Sequence, residues 1–218
     1  MRLSKAKVEI LDDIDGNDVL AQIERAARTC YKSEEKICKG SAEKLVAKLI
    51  ESGHMPMIEF VDVTVKFTCD RGVSHELVRH RLASFAQEST RYCNYKGGVE
   101  FIIPPWNDKF KPGEYNLASV YLTNYDREDY IWLSTMQFCE AAYLNLIAEG
   151  YSPQKARSVL PNSLKTEVVM KANLREWIHF FNMRCSPAAH PQMRELANSL
   201  KKQFKSKIPI IFDDKVEE

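Results

Sequence analysis

The chain has 218 residues and a formal charge of +1, from 31 lysines and arginines against 30 aspartates and glutamates. That length suits one large domain with a substantial core, and a single domain over residues 1–218 is expected. The charge balance excludes a protein whose main work is neutralising a nucleic-acid backbone, and no apolar run approaches the ~20 residues of a membrane span.

Residues 7–11 read as a short strand, and the acidic stretch 12–18 around Gly16 as a turn. Val19, Leu20, Ile23 and Ala26 or Ala27 make the apolar stripe of a helix over 18–30. A second helix is expected from Ser41, as N-cap, to Gly53 in the C′ position. Residues 59–70 alternate strictly: Val61, Val63, Val65, Phe67 and Cys69 on one face, Asp62, Thr64, Lys66, Thr68 and Asp70 on the other. This is a strand with one wet face, which favours an antiparallel or mixed sheet. Arg71-Gly72 reads as a turn, Ser74 as the cap of the next helix, and 99–103 as a strand stopped by Pro104-Pro105. A long helix over 127–148 closes at Gly150, and Ser152-Pro153 starts a short one through Arg157. Residues 165–172 fit a strand, Asn173 with Glu176 has the shape of a capping box for a helix to about Arg184, and a last helix runs over 191–204. Long helices with strands in no regular β-α alternation indicate the α+β class, with a mixed or antiparallel sheet.

The six cysteines (30, 38, 69, 93, 139 and 185) show no C-x-x-C, and residues 1–7 lead into a strand rather than a signal-peptide core. A cytoplasmic protein with reduced thiols and no metal centre is therefore expected.

Chemistry concentrates in residues 79–91, Arg-His-Arg-Leu-Ala-Ser-Phe-Ala-Gln-Glu-Ser-Thr-Arg. Fixed forks of N–H donors suit phosphates, carboxylates and base edges. Successive helical residues are offset by about 100°, so Arg79, His80 and Arg81 cannot all face one phosphate from a regular helix. Either the helix ends there, or the three serve different ligands or different subunits. A second cluster holds Asn173, Arg175, His179 and Arg184, with Trp177, Phe180 and Phe181 as the apolar side of its helix. Arg157, before Pro161, is a weaker third candidate. There is no G-x-G-x-x-G, G-x-x-x-x-G-K-[ST], H-E-x-x-H or G-x-S-x-G, so phosphates would have to be met by side chains.

Arg79-His80-Arg81, followed by Ala83-Ser84 and Ser89-x-Arg91-Tyr92, resembles the signature of the flavin-dependent thymidylate synthases, the ThyX family. Gly53-His54, Glu59, Ala156-Arg157-x-Val159-Leu160-Pro161 and Asn173-x-Arg175 through Asn182-x-Arg184 follow in the family's order. The resemblance implies an α+β homotetramer with active sites shared between subunits. It implies conversion of dUMP to dTMP, with 5,10-methylenetetrahydrofolate as carbon donor and NADPH-reduced FAD as electron carrier. It places FAD against Arg79, His80, Arg81, Gln87, Asn173, Arg175 and His179. It places dUMP against Glu76, Arg79, Gln87, Glu88, Ser89, Arg91, Arg157 and Arg184, with Arg184 as the catalytic residue that favours ionisation at N3 of the uracil. Four positions depart from the family pattern. Glu76 stands where glutamine is common, Gln87 where glutamate is common, Ala86 where asparagine is frequent, and Pro56 near a flavin-contacting Ser or Thr. These departures leave open a homologue that binds flavin or nucleotide without making dTMP.

Overall fold

The computed structural model describes residues 1–116 and 125–213. The chain divides into two compact units, one of residues 1–7, 67–79 and 86–168, the other of residues 8–66, 80–85 and 169 onward.

In the first unit β1 (Arg2–Ser4) is flanked by β5 (Glu100–Ile102) and β6 (Gly113–Glu114). Leu3 lies opposite Phe101 in a parallel pair and Gly113 in an antiparallel one, so this sheet is mixed, in keeping with the α+β expectation. The apolar side chains of this sheet pack with Phe110 and with Leu133, Met136 and Tyr143 of α4 (Arg127–Ala148). The boundaries of α4 match the sequence reading because both ends carry strong signals. Asp126 and Asp129 form a reciprocal capping box, and Gly150 takes φ 86. After it, Ser152 precedes α5 (Pro153–Ala156), accepting the amides of Lys155 and Ala156 on its carbonyl. Arg157–Val159 then tightens into a 3-10 turn.

Strand β3 is Asp62–Asp70 and carries the alternation read from the sequence: Val61, Val63, Val65, Phe67 and Cys69 are all buried. It starts three residues later than expected, because Met55–Phe60 winds into a 3-10 helix. At the other end the expected Arg71-Gly72 turn is instead the first turn of α3 (Arg71–Leu77). Its cap is not Ser74 but Asp70, whose carboxylate accepts from Val73 N at 2.7 Å. Ser74 sits mid-helix and donates to Arg71 O. The reading failed because the strand's last polar residue doubles as the helix cap.

The second unit holds β2 (Lys7–Ile10), α1 (Gly16–Thr29), α2 (Ser41–Glu51), α6 (Leu174–Arg184), α7 (Pro191–Lys207) and α8 (Pro209–Phe212). Strands β2, β3, β7 (Lys165–Asn173) and β4 (Ala83–Gln87) pair in that order. Helix α1 starts two residues early because Asp15 caps it, accepting from Asn17 and Asp18 amides. Helix α2 has Gly40 at φ 79 as its N-cap, not Ser41, whose hydroxyl is drawn to Glu24 and Cys38 O. Its C-terminus closes as expected. Gly53 at φ 67 donates to Ile50 O and His54 to Leu49 O, the Schellman pair. Trp177, Phe180 and Phe181 of α6 pack edge-to-face and stacked with Phe204 and Phe212, and the Trp177 indole donates to Val63 O at 3.1 Å. That cluster fixes which face of α6 is left for chemistry. Among the described residues no helix is long and apolar enough to cross a membrane.

A Cβ on Gly16 would fall 2.3 Å from the carbonyl oxygen of Lys207, so α1 starts hard against the end of α7. Gly16→Ala is expected to cost about 1–3 kcal/mol through this backbone clash. A lowered urea midpoint with an unchanged slope checks it; an unchanged midpoint contradicts it.

Candidate functional site

The sequence-derived residues fall into two groups, one in each unit. The first unit carries Glu76, Arg79, Gln87, Glu88, Ser89, Arg91 and Arg157. Helix α3 stops at Leu77, whose side chain is fully buried, and Arg79 N closes a last turn onto Glu76 O. The fanning of the basic triplet is thus resolved by the helix ending before it. Glu76 lies in the final turn, and the Arg79 side chain is exposed beyond it.

Gln87 ends β4. Its Nε2 donates to Ser74 Oγ at 2.9 Å and to Thr166 Oγ1 at 3.3 Å. The single proton of Ser74 goes to Arg71 O, so Ser74 Oγ needs a donor opposite it. An amide supplies one and an ionised glutamate cannot, which gives a physical reason for glutamine at this position. Glu88 then leaves the sheet. Its carboxylate accepts the Tyr95 hydroxyl at 2.8 Å and lies 3.5 Å from Lys165 Nζ. Burial first, and the Glu88 carboxylate second, hold the Tyr95 phenol well above its ordinary pKa, so it stays a donor.

The next turn folds on Ser89, whose carbonyl accepts from Tyr92 and Cys93 and whose hydroxyl accepts from Arg91 N. Arg91 Nε donates to Gln154 Oε1 at 2.9 Å, and the guanidinium lies 5.5 Å over the Tyr92 ring. Arg157 donates to Thr90 Oγ1 at 2.9 Å. The loop and the α5 turn are thereby stitched together by two guanidinium groups, both on exposed residues. Both guanidinium groups are held by neutral acceptors, so neither cation is cancelled by a carboxylate in these contacts.

The second unit carries His80, Arg81, Asn173, Arg175, His179 and Arg184. Asn173 caps α6 through Glu176 N at 2.9 Å, as expected. The Glu176 carboxylate does not complete a capping box; it meets His80 Nδ1 at 3.1 Å. Arg184, the last residue of α6, donates from Nε to His80 Nε2 at 3.0 Å. His80 is therefore buried, 4% exposed, between a carboxylate and a guanidinium, with Phe180 packed against it at 5.0 Å. Burial, the largest influence, pulls the His80 pKa below its ordinary value, opposed by Glu176 and assisted by Arg184 and His179. By contrast Arg81 and His179 are exposed, and Arg175 pairs at the surface with Glu59 at 2.6 Å.

Donor atoms of His80, Glu176 and His179 lie within 4.8 Å of one another, a spacing a metal could use. Both ring nitrogens of His80 are already engaged, Nδ1 by Glu176 and Nε2 by Arg184. A cleft of about 320 Å³ in the same unit is lined by Asp62, Leu82, Ala83, Ser84, Lys171, Ala172 and Asn173. A larger cleft of about 620 Å³ in the same unit is lined by Ile50, Glu51, Ile178, Asp213 and neighbours, with no lysine or arginine and none of the candidate residues. Volume alone does not mark the site; the cations do.

Sequence reasoning missed Glu176, which it read only as a cap, and Arg71, which donates at 3.4 Å to Glu88 O and Thr166 Oγ1. It also missed Thr90, Tyr95 and Gln154, the partners that hold the loop. Periodicity carries no signal for cross-chain partners of this kind.

Comparison with known proteins gives a consistent result. The family model described as thymidylate synthase complementing protein matches residues 10–210. The flavin-dependent thymidylate synthase of Geobacter sulfurreducens is 34% identical over 205 residues, covering 90% of this chain and 82% of the relative. That of Corynebacterium diphtheriae is 30% identical over 209 residues, covering 93% and 81%. In fold, the chain is similar to the UMP/dUMP methylase PolB of Streptomyces cacaoi, a structure bound with 5-Br dUMP. The TM-score is 0.77 at 24% identity, over 98% of this chain and 96% of that one. With its arginine clusters lying inside a match that spans nearly its whole length, the chain belongs to the flavin-dependent thymidylate synthase family.

Proposed function

We propose that the protein methylates dUMP to dTMP as one catalytic domain of a cytoplasmic homotetramer, with active sites shared between subunits. The observation that carries this reading is the family match over residues 10–210, which contains every candidate residue. The exposed Ile131 and Phe138, two turns apart on α4, support burial of that face against another subunit. The near-neutral charge supports a small-molecule substrate rather than a nucleic acid.

The donor set of the second unit fits a flavin dinucleotide. Arg81, Arg175 and His179 offer exposed donors suited to its pyrophosphate, in the same unit as a cleft carrying the Ser84 hydroxyl and Asn173 amide. Arg79 and Gln87 are the further flavin contacts assigned from the family. For His80 the ring nitrogens are both engaged inside the chain, Nδ1 with Glu176 and Nε2 with Arg184. When bound, FAD reduced by NADPH supplies the electrons that bring the carbon of methylenetetrahydrofolate to the methyl level.

The chain's own residues bind and polarise the nucleotide. Ser89, Arg91 and Arg157 hold the phosphate, on a loop whose guanidinium groups are already oriented by Gln154 and Thr90. Glu76, Arg79, Gln87 and Glu88 flank the nucleotide. Arg184 meets the uracil edge, where a fixed positive charge stabilises the negative charge that develops as C5 becomes nucleophilic. No protein nucleophile takes part. Burial pushes the Cys69 thiol up to about 12 and raises Cys139, so both stay protonated at neutral pH.

Two experiments test this. The purified protein is expected to carry a flavin spectrum and, given dUMP, NADPH and methylenetetrahydrofolate, to form dTMP. A yellow protein that makes no dTMP under these conditions contradicts the reaction. Arg91→Ala and Arg157→Ala should each raise the dUMP KM by roughly tenfold or more, the loss of one charge-assisted contact of about 1.5–3 kcal/mol. Flavin content should be unchanged; unaltered dUMP affinity in both would reject the phosphate assignment.

A further inference from the structure

We infer that Glu176 is a positioning residue for Arg184, acting through His80: it fixes the imidazole tautomer whose bare nitrogen accepts the arginine. This rests on the role proposed above for Arg184.

The proton count fixes the tautomer. A guanidinium Nε–H can only donate, so His80 Nε2 at 3.0 Å must be unprotonated. The ring's single proton then sits on Nδ1 and is donated to the Glu176 carboxylate at 3.1 Å. Glu176 lies in the first turn of α6, where its own amide is held by Asn173. If the carboxylate were absent, the proton could move to Nε2 and point at the guanidinium, two donors facing one another.

The imidazole also solves a distance and a charge problem. Glu176 and Arg184 are eight residues apart, about 12 Å along the helix axis, with long side chains leaning toward the N-terminus. The ring of His80 bridges that gap. A carboxylate at this contact would offset the positive charge of Arg184; a neutral imidazole accepts Nε–H on a lone pair and adds no charge of its own. Among the described residues, the titratable groups facing the ring are Glu176, His179 and Arg184, all on α6. Protonation of His80 would put a second N–H and a second positive charge against Arg184. The imidazole titration therefore sets the acid side of the activity profile, and its burial keeps that transition low.

Imidazole nitrogen shifts from ¹⁵N-histidine-labelled protein, assigned with His80→Gln, together with steady-state kinetics of Glu176→Gln and Glu176→Ala, test this. The wild type should show His80 protonated at Nδ1 and bare at Nε2. Glu176→Gln still accepts from Nδ1 and should keep this tautomer and most of kcat. Having lost the charge that raises the histidine pKa, its acid limb should move to lower pH. Glu176→Ala should lose kcat by roughly tenfold or more, as misplacement of a reacting-group partner by about 1 Å can cost 10²-fold, with flavin content and dUMP KM nearly unchanged. A protonated Nε2 in the wild type, an unmoved acid limb in Glu176→Gln, or wild-type kcat in a folded Glu176→Ala would each overturn the inference. Failure of the wild type to make dTMP would sink the proposed function instead, and the nitrogen shifts would still decide the tautomer.

Discussion

The termination of α3 at Leu77 is the constraint on which the chemistry depends. Three consecutive basic residues on a regular helix would fan around it and be wasted on solvent or on one another. Because the helix stops before Arg79, the chain is free to bury one imidazole and expose two guanidiniums, and then enter β4 at Ala83. The buried His80 has its pKa pulled below the ordinary value by that burial. It is a hydrogen-bonding spacer between Glu176 and Arg184, and only Arg79 and Arg81 of the triplet remain as surface cations. A segment that reads as a uniform basic cluster is chemically three different things.

The same economy governs the loop that carries Arg91. Arg91 and Arg157 are oriented by an amide oxygen and a hydroxyl rather than by carboxylates, so orientation is gained without neutralising charge. The carboxylate that is present, Glu88, is occupied by the Tyr95 hydroxyl and lies near Lys165. In the second unit the surface pairs, such as Arg175 with Glu59 and Lys171 with Asp62, are about half exposed and contribute little to stability. Stability there comes instead from the aromatic cluster around Trp177, which presents the opposite face of α6 to chemistry.

Much of this was legible in the sequence where local signals decide. The alternation of Val61 to Cys69, the span of α4, Asn173 as the cap of α6, and Gly53 and Gly150 past their helix ends all read correctly, because strand pleat and helix caps are set by neighbours in sequence; the Glu176 half of the expected capping box does not form, its carboxylate going to His80. Ser41 and Ser74 misled for one reason: a hydroxyl that can cap a helix can equally bond a distant carboxylate or a carbonyl one turn back. The arginines of the site were found, but their holders were not. Gln154, Thr90 and Glu176 are ordinary helix or loop residues until the fold brings them to Arg91, Arg157 and His80.

In the proposed reaction a fixed charge, Arg184, activates the pyrimidine. When a methyl group replaces the hydrogen at C5 of dUMP, that hydrogen must leave, so tritium release from [5-³H]dUMP reports the activation itself. The wild type should release tritium in step with dTMP, and Arg184→Ala with its flavin retained should lose release by about 10²-fold or more, the usual consequence of removing one charge-stabilising donor. Wild-type tritium release in flavin-loaded Arg184→Ala would contradict the account.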